Sequence, residues 1–317
     1  MTQQSYARRS VTITTDDGIQ LSGYFYVPSG GTSRLPAVML SHGFGATVGH
    51  YIDRFAEVFA SAGIAVVLYD HRNFGGSGGE RRGEADPWQQ IRDSRDVLTW
   101  LQHQDEVDPE RIGVWGTSYS GGHALVLGAI DRRLRCIVAQ VPTISGYQQS
   151  LRRIRPDAVS AMRRVYDADR AGRYRGDPPA RRQIVAVEKD DPAIYHGEDA
   201  RHFYLSAAVA FPEGYWDNHV TLRSTEMSSE YEPGVYVHRI TPAPLLMIVA
   251  ENDEVTPSDL ALDAYRQALE PKDLVLIKGG HFSPYDEQFE IASEAALRWL
   301  RKHLGVGSAP APTAASV

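Results

Sequence analysis

VWGTSYSGGHALVLG, residues 114–128, sets an apolar strand-like run against a helical one across the turn Gly116-Thr117-Ser118-Tyr119-Ser120-Gly121. A serine at such a strand-turn-helix junction sits in a strained backbone with its hydroxyl proud of the sheet, and small neighbours are required because the turn packs on the adjacent strand. The common spacing is GxSxG. Here Ser120 takes the place of the last glycine, with Gly121 and Gly122 following, so the requirement for a small residue is kept. The alternative is a serine that merely caps the helix after a buried strand.

On either side, short β-rich runs alternate with amphipathic stretches. A hairpin is expected from Ser10–Thr15 and Gln20–Val27 around the turn Asp16-Asp17-Gly18. Buried strands are expected at Ala37–Leu40, Ile64–Tyr69, Ile112–Trp115 and Cys136–Val141, with helices near Tyr51–Ala62, Pro87–Gln102 and Tyr119–Ala129. This alternation predicts an α/β fold with a mostly parallel sheet covered by helices on both faces. After Pro142 some hundred residues pass before the next buried strand, Pro244–Ala250. Helices are expected inside that insertion at Thr143–Tyr166 and Pro179–Lys189. The pattern then resumes with a helix at Ser258–Leu269, a strand at Leu274–Ile277 and a helix at Pro284–Leu304. The expected organisation is a core of residues 1–142 and 241–304, a helical cap of residues 143–240 and a disordered Pro-rich tail, 305–317.

A serine hydroxyl is a poor nucleophile at neutral pH and needs a base, itself held by a carboxylate. AENDEVTP ends one late strand with Glu251, Asp253 and Glu254, and GGHF ends the next with His281. Asp253 is favoured for its place at the strand-end turn, with Glu251 the alternative. The glycines before His281 let a loop hold the imidazole above the sheet edge. Backbone N–H groups of Tyr119, directly after the nucleophile, and of Phe44, in His42-Gly43-Phe44-Gly45, are the candidate oxyanion donors. Tyr147, Tyr215 and Trp216 are aromatic candidates for the cap side of a pocket, with ordinary cap core as the plainer reading.

In this order, SHGFG, YDHRNFGGSGG, GTSYSGG, AENDEVTP and GGHF resemble the α/β-hydrolase family over residues 10–142 and 240–304. The insertion after the sixth strand is similar to the branch of dienelactone-hydrolase-like esterases, bacterial acyl hydrolases and polyketide transferases. That resemblance implies an eight-stranded sheet and a cofactor-free serine hydrolase of carboxylic esters or lactones. Acyl transfer and C–C bond hydrolysis use the same triad, and a catalytically idle binding protein is the remaining class.

Composition limits the partners. With 33 Lys and Arg against 40 Asp and Glu the net charge is −7, which argues against nucleic acid or an anionic membrane. The Gly-rich stretch at residues 70–78 lacks the lysine of a phosphate loop, and neither HExxH nor paired His/Cys spacing points to a metal. The single cysteine, Cys136, lies in an apolar run and is expected to be buried. The N-terminus lacks a signal-like apolar run and no stretch is long enough for a membrane span, so a cytoplasmic enzyme acting on a small-molecule acyl substrate is expected. The aromatic cap also suits a homodimer.

Overall fold

The computed structural model describes residues 5–30, 34–188 and 191–306; residues 1–4 and, of the expected tail, 307–317 lie outside them. The hairpin forms from β1 (Tyr6–Thr14) and β2 (Gln20–Pro28), followed by β3 (Leu35–Ser41), α1 (Ile52–Ser61), β4 (Ala65–Tyr69), α2 (Pro87–Gln102), β5 (Val107–Thr117), α3 (Tyr119–Ile130) and β6 (Leu134–Gln140). The insertion contributes α4 (Gly146–Arg153), α5 (Val159–Tyr174), β7 (Arg181–Val185), β8 (Ala193–Tyr195), α6 (Glu198–Arg201), β9 (His219–Thr221) and α7 (Leu222–Glu230). The chain then returns through β10 (Leu245–Ala250), α8 (Ser258–Gln267), β11 (Lys272–Ile277) and α9 (Phe289–Leu304).

Eight strands form one sheet in the order β1-β2-β4-β3-β5-β6-β10-β11, antiparallel only at the hairpin edge. Every residue of β4 and β10 is buried, which explains their unbroken apolar sequences: helices cover both faces, so no position is left for a polar side chain. α2 starts where Asp86 accepts the N–H groups of Trp88 and Gln89 and Pro87 occupies the first helical position. α3 is buried from Tyr119 to Ala129, so it is apolar all round and shows no amphipathic stripe.

Two expectations in the insertion are corrected. The single helix expected over Thr143–Tyr166 is two helices, because Pro156 drives Arg155 into an extended conformation, with φ −57 and ψ 140, between α4 and α5. The helix expected at Pro179–Lys189 is the strand β7, which pairs parallel with β8 and antiparallel with β9; Lys189 itself lies outside the described residues. Ile184 and Val185 are buried in this small sheet, and partner strands outweigh local helical preference. The last helix also starts later than expected, at Phe289, after a single 3-10 turn at Ser283–Tyr285.

One ion network ties the hairpin to the helical layer. Arg72 grips Asp93 of α2 through two bonds of 2.6 Å and reaches Asp17 in the hairpin turn at 2.8 and 2.9 Å. Asp93 is fully buried, and burial pushes its carboxyl pKa up even beside the guanidinium. Removing the arginine strands that carboxylate, so Arg72→Met should cost roughly 3–5 kcal/mol in denaturant unfolding. A cost below 1 kcal/mol would show that Asp93 finds another partner.

Candidate active site

Ser118 occupies the single residue between β5 and α3, with φ 57 and ψ −118, a region that side-chain-bearing residues seldom enter. Such a conformation costs about 1–3 kcal/mol and persists only when the surroundings fix it. Here the Ser118 N–H donates to the Gln140 carbonyl and the Ser118 carbonyl accepts from the Thr143 N–H, both at 2.9 Å. A Cβ on Gly121 would lie 2.8 Å from Pro142 Cα, which is why the elbow carries glycine there.

The three residues proposed from the sequence as nucleophile, base and acid come together. Ser118 Oγ lies 2.8 Å from His281 Nε2, and His281 Nδ1 lies 2.8 Å from Asp253 Oδ2. All three are buried. A carboxylate can only accept, so Nδ1 carries the proton and Nε2 presents its lone pair to the serine hydroxyl. Asp253 is held in turn by the N–H groups of Val255 and Thr256 at 2.8 and 2.7 Å, and by the Thr256 hydroxyl at 2.8 Å. Glu251 and Glu254 are exposed, leaving Asp253 as the carboxylate on the imidazole.

Phe44 and Tyr119 flank Ser118 with their rings edge to face at 5.2 Å. As the first residue of α3, Tyr119 has no intrahelical acceptor for its N–H, and no backbone carbonyl takes the N–H of Phe44 among the described residues. The loop of residues 42–45 is fastened on both sides. From the insertion, the Tyr204 hydroxyl donates to the Phe44 carbonyl at 2.7 Å and Trp216 Nε1 to the Gly45 carbonyl at 2.8 Å. From the core, the Ser120 hydroxyl donates to the His42 carbonyl at 2.5 Å and accepts from His71 Nε2 at 3.0 Å. The His71 N–H then donates to His42 Nε2 at 3.1 Å, leaving His42 Nδ1 to donate to the Gly43 carbonyl. Burial pushes the His42 pKa down to about 4 and that of His71 well down, so both stay neutral supports.

Above Ser118 opens a cavity of about 240 Å³, lined by Phe44, Tyr119 and Thr256 from the core and by Ile154, Met162 and Tyr195 from the insertion, among others. None of the aromatic residues expected in the pocket lines it. Tyr147 is 53% exposed at the start of α4. The Tyr215 hydroxyl donates to Asp70 Oδ2 at 2.8 Å, and Trp216 Nε1 is engaged by the Gly45 carbonyl. Sequence reasoning missed Tyr204 and Tyr195, whose stacked rings carry no local motif. Ser120 was visible as a departure from GxSxG, and its two hydrogen bonds supply the reason. Among the described residues no group of three His, Cys, Asp or Glu side chains is arranged to hold a metal ion, and no helix is long and apolar enough to cross a membrane. Cys136 is buried in β6, which raises its thiol pKa.

The sequence pattern of the X-Pro dipeptidyl-peptidase (S15) family matches residues 17–283. The chain belongs to this family. Among proteins similar to this S15 member is a thiohydrolase of Eupenicillium brefeldianum, 30% identical over 96% of this chain and 97% of its own length. The polyketide transferase grgF of Penicillium sp. is 29% identical over 96% of this chain and 99% of its own. The crystal structure of the α/β-hydrolase GrgF from Penicillium sp. sh18 superposes with a TM-score of 0.80 at 26% identity, covering 94% of this chain and 99% of the other. The S15 chain is thus an α/β-hydrolase of a serine hydrolase family, among relatives named for different acyl chemistries.

Ser120 yields a prediction that opposes the common motif. Ser120→Gly restores GxSxG but leaves the His42 carbonyl and His71 Nε2 unpaired in a buried site, at a cost of about 1–3 kcal/mol of stability. The loosened loop should lower kcat more than it raises KM for an ester substrate. Unchanged stability and kcat in thermal melts and steady-state assays would contradict this role.

Proposed function

We propose that the protein is a serine hydrolase that takes an acyl group from a carboxylic ester, lactone or thioester onto Ser118 and delivers it to water. The observation that carries this reading is the unbroken hydrogen-bonded line from Asp253 through His281 to Ser118, ending on a cavity wall. Ser118 Oγ attacks the carbonyl carbon as its proton moves to His281 Nε2, and the developing oxyanion is met by the N–H groups of Phe44 and Tyr119. The imidazolium, steadied by Asp253, gives the proton to the departing alkoxide or thiolate as its bond to the acyl carbon breaks. Water then adds to the acyl carbon with His281 as base, the bond to Oγ breaks, and the proton returns to Ser118. In this reading residues 143–240 act as the cap, closing the cavity over Ser118 and holding the Phe44 carbonyl through Tyr204.

Acyl transfer is the second reading, favoured by the similarity to a polyketide transferase over nearly the whole chain. It needs only that an alcohol or amine replace water in the second half of the cycle.

The test is a graded series of p-nitrophenyl esters and matched thioesters with the native protein and Ser118→Ala. Native turnover should vanish with Ser118→Ala, and equal turnover in both would overturn the assignment. Asp253→Asn should keep the fold yet lower kcat by roughly 10²–10⁴-fold, because an amide NH₂ facing Nδ1 disfavours the tautomer needed. A loss below threefold would remove Asp253 from the mechanism. With added alcohol or amine, a product ratio that departs from hydrolysis would move the assignment to transfer.

A further inference from the structure

The protein is acidic overall, yet the cavity over Ser118 is lined by two arginines and, among the described residues, by no aspartate or glutamate. Eight of the thirteen arginines between residues 143 and 240 pair with a carboxylate, most of them on the surface. Arg153 and Arg182 have no carboxylate partner among the described residues, and both line the cavity.

Each is held by neutral groups. Arg153, at the end of α4, donates Nη2 to the Val255 carbonyl and lays its guanidinium 5.3 Å from the centre of the Tyr195 ring. That ring stacks on Tyr204, the same side chain that fastens the oxyanion loop. Arg182, on β7, has a 3.4 Å bond to the Pro192 carbonyl. Carbonyls and an aromatic face position a guanidinium without neutralising it, so its forked donors remain available to an anionic oxygen group.

We propose that Arg153 and Arg182 form an anion-recognition subsite, and that the substrate carries a carboxylate or other oxyanion remote from the bond that is cleaved. This rests on the reading of Ser118 as the acyl acceptor. The subsite fixes the substrate's far end, so its reacting carbonyl meets Ser118 in a set register.

The experiment compares the p-nitrophenyl half-ester of adipic acid with its counterpart whose free carboxyl is capped as a primary amide. A second pair, the acetate esters of 6-hydroxyhexanoate and 6-hydroxyhexanamide, places the anion on the leaving side. In the native protein one pair should show a carboxylate preference of about tenfold or more in kcat/KM, as expected for charge-assisted hydrogen bonds, and which pair shows it locates the subsite. The ratio should fall toward one in Arg182→Gln and Arg153→Gln, mainly through KM, and Arg182→Lys should restore part of it. Because the ratio is taken within one protein, a partly folded variant does not imitate the result. A ratio near one in both native pairs, or one unchanged in both glutamine variants, would overturn the proposal while leaving Ser118-dependent hydrolysis intact. If neither ester pair is turned over, calorimetric titration with free adipate and adipamide decides independently: preferential binding of adipate, lost in Arg182→Gln, supports the subsite, and equal or absent binding of both overturns it.

Discussion

Everything at this site depends on one residue held where its backbone does not prefer to be. Ser118 keeps its positive φ because β6, through the Gln140 carbonyl, and the first residues after β6, through the Thr143 N–H, grip its peptide groups from both sides. The same grip sets the direction of Oγ toward His281 and places the Tyr119 N–H at the head of α3. The strain is sustained by the packed centre of the sheet, where β5 lies between β3 and β6.

The insertion is joined to this machinery as well as lying over it. Tyr204 and Trp216 tie the carbonyls of Phe44 and Gly45 to a segment more than 150 residues later in the chain, while Ser120 ties the His42 carbonyl from beneath. The loop of residues 42–45 is thereby clamped between core and insertion. Tyr195, stacked on Tyr204 and facing Arg153, links that clamp to the wall of the cavity.

The sheet and the Ser118, His281 and Asp253 arrangement were legible in the sequence because each rests on local signals. Six of the eight strands were marked by apolar runs and the edge pair by its hairpin turn, and each of the three polar residues lies just past the carboxyl end of one of the apolar runs. Asp253 could be preferred to Glu251 from its place in the turn, and the exposure of Glu251 agrees. The insertion was less legible. β7 is made by pairing with β8 and β9, none longer than five residues, and such short strands leave no periodicity to read. The pocket candidates Tyr147, Tyr215 and Trp216 were chosen for aromatic character alone, but what decides their roles is which distant carbonyl or carboxylate each meets. Most insertion arginines form ion pairs with carboxylates, whereas Arg153 and Arg182 reach the cavity through tertiary positions that no local sequence signal marks.

Whether this elbow makes Ser118 uniquely nucleophilic is measured most directly by covalent labelling with a small fluorophosphonate followed by peptide mass mapping. A single stoichiometric adduct on Ser118, absent when His281 is replaced by alanine, is the predicted result. Adduct formation on Ser120 or another serine, or none in the folded native protein, would contradict the account.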